Sequence, residues 1–310
     1  MPDLTNVKKY FAYYFETRGF SANGFSGLTS EAAKKAASYA RGPDRGPAIF
    51  IHGIMPRSGT VYAGELLRLH PDLYAYPYQI WEFPALSVTD KLMELQRDFI
   101  EGYRLNQKKF EDGDFLPIFG GALMAYMHAT APPDQRVLMK MPGVRFLNYF
   151  FSMFPYENLL ILLRDGRDLV HSTLRTWKQL NLIQVCLRWN RSARIILETL
   201  ELFRRTGQSG YWLAKYEDAL LDPEAFVRNA CRAFELDEAR YPFDRIADIR
   251  VIGSSKLENK GEVRWRHLDR PKEFKPLGYW REWSALRKTV FKVIAGQSLV
   301  ELGYSQDLKW

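Results

Sequence analysis

The run from Ala48 to His70, AIFIHGIMPRSGTVYAGELLRLH, constrains the fold more than any other stretch. A short apolar segment, Ala48 to Ile51, breaks at Gly53, passes through Pro56-Arg57-Ser58-Gly59-Thr60 and turns amphipathic at Val61. That pattern predicts a strand, a tight loop and a helix. Such a loop aims successive backbone N–H groups at one point, with the positive end of the helix dipole behind them. Gly59 lets the backbone approach a ligand closely. Ser58 and Thr60 add hydroxyls, and Arg57 adds a planar cation suited to phosphate or sulfate. The stretch reads as an anion cradle. It is not the nucleotide-triphosphate loop, which needs a lysine directly after its second glycine. Here Gly53 and Gly59 stand one residue too far apart, and Thr60 follows Gly59.

The rest of the chain alternates between the same two patterns. Arg136 to Met141 predicts a strand that places Lys140 near its carboxyl end, and Phe146 to Phe154 an aromatic helix. Asn158 to Leu163 is nearly all apolar, as expected of a strand buried on both faces. A helix follows by about Asp168, and a long one spans Leu182 to Arg205. Tyr211 to Tyr216 is another strand, and Asp222-Pro223 opens a helix through Phe234. Further helices are expected over Leu86 to Leu105, around Phe119 to Met127, and from Glu282 to Val290 or beyond. Tyr241 to Tyr279 is loop-like and basic. The fold class is therefore α/β, with a mostly parallel central sheet flanked by helices. Ligands in such sheets bind beyond the carboxyl ends of the strands, where Arg57, Lys140, Arg164 and the end of the 211–216 strand all fall. Residues 1–46 form an N-terminal helical extension. Within it, Val7 to Phe15 is aromatic and Ser30 to Ala40 is an alanine-rich helix with Ser30 as N-cap.

A second informative stretch is LLILLRDGRDLVHS, Leu159 to Ser172. Arg164 leaves a strand end, and Ser172 follows eight residues later in a helix, so the two can grip a second phosphate from two sides. A surface pair between Arg164 and Asp168 is the competing reading. The formal charge of +8 favours anionic ligands and is spread along the chain, which weakens a nucleic-acid role. The two cysteines, Cys186 and Cys231, lack metal-ligand spacing and read as reduced, buried thiols of a cytoplasmic protein. The first 20 residues do not read as a secretory signal, and no apolar run reaches membrane-spanning length.

Taken together, these stretches resemble the sulfotransferases that use 3′-phosphoadenosine 5′-phosphosulfate (PAPS), in their bacterial and tyrosylprotein-type branch. Pro56-Arg57-Ser58-Gly59-Thr60 resembles the family's 5′-phosphosulfate loop, with arginine in place of lysine. Arg164 and Ser172 match its 3′-phosphate pair. VLMKMPGVRFLNYFFSMFP is similar to its "LKSP…L…FP" segment, and AKYEDALLDPEAFVRNACRAFEL to its "YEDL…DP…FL" signature. The resemblance covers about residues 48 to 280. It implies the nucleotide-loop-like sulfotransferase fold over residues 47–310, PAPS as co-substrate and 3′-phosphoadenosine 5′-phosphate (PAP) as product. It assigns the loop residues Arg57, Ser58, Gly59, Thr60 and Val61 to the donor. Tyr62 stands where cytosolic members stack a tryptophan on adenine, and Val61 replaces a second threonine. Tyr216 is the adenine-contacting tyrosine by the same match. Lys260, Arg264 and Arg266 are candidates for the 3′-phosphate, in a loop that half resembles the family's Arg-Lys-Gly.

Sulfuryl transfer through a loose transition state needs cations on the leaving phosphate and a base for the acceptor. Arg57 is the first cation and Lys140 the second. Glu82 is the candidate base, because Trp81-Glu82 resembles a Trp-Glu pair of several bacterial members. A carboxylate among Tyr76, Tyr78, Trp81 and Phe83 is expected to hold its proton more tightly than usual. His52 and His171 are rival bases. The aromatic residues around positions 74–83, 115–126 and 146–150 suit an apolar acceptor carrying a hydroxyl or amine: a small alcohol, a lipid, a glycoside or a natural product. No metal is called for. The alternatives are an ATP-dependent small-molecule kinase of related fold and a non-catalytic nucleotide- or RNA-binding protein.

Overall fold

The computed structural model describes residues 29–40, 45–75, 82–103, 105–106, 109–252, 267–269 and 276–310. The expected helix over 7–15 and the candidates Lys260, Arg264 and Arg266 lie outside them, as do Tyr76, Tyr78 and Trp81.

Five parallel strands form the central sheet. They are β1 (Ile49–Gly53), β2 (Leu73–Ala75), β3 (Arg136–Met141), β4 (Asn158–Leu163) and β5 (Tyr211–Lys215), in the order β2-β3-β1-β4-β5. β1 lies between β3 and β4, with Ile51 opposite Lys140 and Leu160. The continuous apolar runs follow from this position. Successive side chains point to opposite faces, and both faces are covered. Phe50, Met139, Leu159, Ile161 and Leu163 enter one core; Ile49, Ile51, Leu138, Leu160 and Leu162 enter the other.

The connecting helices divide between the two cores. α1 (Glu31–Tyr39) precedes β1, and α2 (Thr60–Leu67) follows it. Next come α3 (Thr89–Glu101), α4 (Phe115–Thr130), α5 (Phe150–Met153), α6 (Gly166–Thr176), α7 (Leu182–Thr206), α8 (Tyr216–Leu221), α9 (Pro223–Phe234) and α10 (Ala285–Glu301). α2 sends Ala63, Leu66 and Leu67 into the second core, beside Phe226, Val227 and Phe234 of α9. α6 sends Leu169 and Val170 into the first, beside Trp189 and Ile196 of α7 and Phe291 of α10. The chain thus leaves β1 toward one face and its neighbour β4 toward the other. The carboxyl ends of these two strands are the usual ligand position in such sheets.

Several expected boundaries move for local reasons. A 3-10 turn, Ala85–Val88, precedes α3, so that helix starts later than Leu86 and ends at Glu101. The aromatic stretch after β3 is a 3-10 turn followed by the single helical turn of α5, because Phe146 takes a left-handed backbone (φ 56°). α10 starts at Ala285, after the Ser284 cap, and runs past Val290 to Glu301. Ser30 caps α1 by accepting from the Ala33 amide, and its own N–H and hydroxyl donate to Asp114 beside α4. β6 (Val251–Ile252) and β7 (His267–Leu268) form a small antiparallel pair within the basic stretch.

α6 approaches α7 closely because it starts with glycine. A methyl at Gly166 would sit well inside contact distance of the Trp189 indole, which is fully buried. Gly166→Ala is expected to destabilise the fold by about 1–3 kcal/mol, the usual cost of overpacking. A fall in the urea midpoint at unchanged m-value would show it, and an unchanged midpoint would refute the close packing.

Candidate active site

The loop after β1 is fixed at both ends. The Ile54 amide donates to the Leu162 carbonyl of β4 at 3.0 Å, and the Ser58 amide to the Met55 carbonyl at 3.2 Å. Arg57 has a left-handed backbone (φ 79°), unusual for a residue with a side chain. Gly59 is also left-handed (φ 91°), and a Cβ there would run into the Tyr216 ring, so only glycine fits. Gly59 caps α2 without a side-chain bond, which leaves the first-turn amides of α2 without intrahelical acceptors. Ser58 is completely buried, and its hydroxyl meets no hydrogen-bonding partner among the described residues.

Arg164 emerges from β4 beside this loop and is 6% exposed. One terminal nitrogen donates to the Arg57 carbonyl at 2.5 Å and the other to the Pro276 carbonyl at 3.0 Å. The guanidinium lies over the Tyr216 ring, 4.7 Å from its centroid. Its Nε is buried without a partner among the described residues. Asp165 caps α6 by accepting from the Arg167 amide. Ser172 lies further along α6, and its hydroxyl accepts from Arg57 Nε at 3.3 Å. Loop, strand end and helix therefore deliver Arg57, Arg164 and Ser172 to one cluster. Tyr216 supports Gly59 and Arg164, with Tyr62 edge-on at 6.4 Å. Asp168 is buried and accepts from the backbone amides of Gly278 (2.6 Å) and Trp280 (3.4 Å), so the surface pair with Arg164 does not form.

Glu82 and Lys140 meet across the sheet edge. Residue 82 bridges to residue 140 in parallel fashion, and the Phe83 amide donates to the Lys140 carbonyl at 2.8 Å. Lys140 Nζ is 3.3 Å from Glu82 Oε1. The lysine is buried and the carboxylate side chain 28% exposed. Burial lowers the Lys140 pKa, while Glu82 works in the other direction. The aromatic run around Glu82 gave no sign of this ion pair, since its partner lies in a strand far along the chain.

The two rival histidines hold structure. His52 is 3% exposed, and its Nδ1–H donates to the Gly143 carbonyl at 2.9 Å, tying β1 to the turn after β3. Burial drives its pKa down to about 4, against the smaller upward pull of that bond. His171 stacks on Tyr279 at 5.4 Å and accepts from the Trp283 indole at 3.3 Å. Its pKa is lowered, first by burial and then by Arg175.

Residues missed by the sequence reading surround Arg164. Arg167 forms a buried ion pair with Asp165 at 2.7 Å and lies over Trp280 (3.8 Å) and Trp310 (4.6 Å). Glu217 accepts from the Asp165 amide and the Tyr304 hydroxyl. The doubled Arg-Asp in RDGRD was the available signal. Among the described residues, no helix is long and apolar enough to cross a membrane.

Comparison with known proteins matches residues 47–240 to the Sulfotransferase family. Protein-tyrosine sulfotransferase 1 of Danio rerio is 23% identical over 83% of this chain and 72% of its own length. Protein-tyrosine sulfotransferase of Drosophila melanogaster is 24% identical over 61% of this chain, but the match spans only 38% of that protein. Among solved structures, the sulfotransferase domain of the Synechococcus PCC 7002 olefin synthase aligns with a TM-score of 0.46 and 21% identity, over 83% of this chain and 95% of that domain.

His52 generates a stability prediction. The unfolded side chain protonates near pH 6.5 and the folded one only near 4, so on acidification the unfolded chain binds the proton first. Stability from this residue is complete above pH 6.5 and falls as pH drops from 6.5 to about 4, by roughly 3 kcal/mol in all. His52→Asn keeps a donor for the Gly143 carbonyl and removes the titration. Urea unfolding at about pH 7.5 and about pH 4.5 should show the wild type losing roughly 2–3 kcal/mol more than the variant. Parallel losses would exclude His52 as the source.

Proposed function

The chain belongs to the sulfotransferase family, and from that membership we propose that it moves a sulfuryl group from PAPS to a hydroxyl or amine acceptor, releasing PAP. The observation that carries the reading is the convergence of Arg57, Arg164 and Ser172 at the carboxyl ends of β1 and β4. Features of the cluster fit an adenosine bisphosphate. The Ser58 hydroxyl and Arg164 Nε, without partners among the described residues, and the first-turn amides of α2 are donors suited to anionic oxygens. Gly59, lacking a side chain, lets the Tyr216 ring pack directly against the loop that would hold the 5′-phosphosulfate. Arg164 retains N–H groups beyond the two already engaged, enough for a 3′-phosphate, and Ser172 adds a hydroxyl.

In this reading the acceptor oxygen forms its bond to sulfur as the bond from sulfur to the bridging phosphate oxygen breaks. The electron pair of that bond stays on the phosphate. Arg57, Ser58 and the α2 amides meet the charge that grows there. Lys140 supplies the second cation, at the strand end next to β1. Glu82 takes the acceptor proton on Oε2, since Oε1 faces Lys140. The aromatic sequence on either side of Glu82 favours a hydroxyl on a small molecule, a lipid or a natural product, and a phenolic hydroxyl such as tyrosine's belongs to the same chemical class. We place the protein in the cytoplasm, a reading that rests on Cys186 and Cys231 being buried as free thiols.

Arg57→Ala should weaken PAP binding by about 10- to 100-fold, the loss of a charge-assisted contact. Isothermal titration measures this, and ATP with magnesium in place of PAP tests the kinase alternative. Glu82→Gln should leave PAP binding within about twofold and cut transfer of labelled sulfate by about 10²- to 10⁴-fold. Normal turnover by that variant would remove Glu82 as base and leave the donor site standing.

A further inference from the structure

α6 uses one stripe of its surface to hold a segment more than a hundred residues away. Arg164 and Arg167 precede and open that stripe, and Asp168 and His171 continue it at helical spacing. Arg164 donates to the Pro276 carbonyl. Arg167 lies over the Trp280 ring, 3.8 Å from its centroid. Asp168 accepts from Gly278 and Trp280, and His171 meets Tyr279 and Trp283. The segment 276–283 is thus bound through every element of the stripe. Asp168 is the central tie. It is 3% exposed, and its carboxylate is held by the two amides aimed at it, with the charge of Arg164 nearby adding to them.

Those amides belong to the turn that presents the Pro276 carbonyl to Arg164. Gly278 has a left-handed backbone (φ 79°), and this conformation lets the turn offer both its amides to one carboxylate. The guanidinium plane of Arg164 is set by the Arg57 carbonyl on one side and the Pro276 carbonyl on the other. We infer that Asp168 is a positioning residue for the nucleotide: by fixing the Gly278–Trp280 backbone it fixes the Pro276 carbonyl, and through it aims Arg164 at the 3′-phosphate. This rests on the donor reading proposed above.

The test compares PAP with adenosine 5′-phosphate, which lacks the 3′-phosphate, on the full chain by isothermal titration. Asp168→Asn keeps the shape of the side chain but turns an amide N–H₂ toward one of the two backbone donors. It should weaken PAP binding by about tenfold, the equivalent of one hydrogen bond to a charged group, and leave adenosine 5′-phosphate within about twofold. Combined with Arg164→Ala it should add little further loss, because both changes act through one guanidinium. Gly278→Ala strains the same turn from the other side and should reproduce the selective loss without touching Asp168. Equal weakening of both nucleotides would mean general loosening and overturn the inference, as would full additivity with Arg164→Ala. Unchanged preference for PAP in both variants would also overturn it, alone. A wild-type protein that binds the two nucleotides alike would instead remove the donor reading, and the positioning role with it.

Discussion

The guanidinium of Arg164 is the contact on which the rest of the site depends. Burying a charged group is costly unless its donors are met; here two backbone carbonyls and an aromatic face meet part of that need, and the buried Nε stays without a partner among the described residues. Each partner comes from a different part of the chain: the loop after β1, the end of β5 and the segment after residue 275. A lysine at the same position could not hold this arrangement. An ammonium is a compact point charge without a plane, whereas the guanidinium fork fixes two carbonyl directions and a stacking face together. The requirement to satisfy one buried cation therefore assembles the cluster before any ligand enters.

That assembly needs rigid ends to work from. β1 is paired with β4 along its whole length, and every residue of β1 is buried. Because the strands are covered on both faces, a shift of one residue would exchange the two cores, so the register is strongly specified. The loop 54–59 and Arg164 are thus delivered from neighbouring, immobile strand ends. The left-handed backbone of Arg57 becomes tolerable in this setting. Its carbonyl is held by Arg164 and its side chain by Ser172, and the surrounding structure over-determines a conformation that is unfavourable in isolation.

What could be read from the residues was the part encoded locally. The strand-loop-helix at Ala48 to His70 carries its own apolar pattern, glycines and hydroxyls, and the spacing of Arg164 and Ser172 lies within one strand-helix unit. The structure places both units as expected and joins them through Arg57 and Ser172. Contacts between distant segments were not legible. For Asp168 the residues offered only a competing reading, a surface pair with Arg164, whereas its partners are amides at Gly278 and Trp280, far along the chain. Phe146 broke an expected helix through a backbone conformation that an aromatic side chain does not announce. Lys140 and Glu82 were each singled out, but for separate duties, since their pairing depends on residue 82 joining the edge of β3.

That pairing changes how the chemistry at this end of the site should be understood. Lys140 is buried, and burial alone favours its neutral form. The Glu82 carboxylate is among the influences that oppose this, so the cation needed near the leaving phosphate is maintained by the group proposed to accept the proton. On the mechanism proposed above, uptake of that proton by Glu82 would weaken its support for the ammonium, while the charge growing on the leaving oxygen would replace it. Base and cation are then two parts of one charge balance rather than independent devices. Removing the carboxylate leaves burial opposed by one fewer partner at Lys140, and removing the lysine leaves the half-buried carboxylate without its nearest counter-charge. The effects of changes at the two positions cannot be divided between them, because the two side chains are in direct contact.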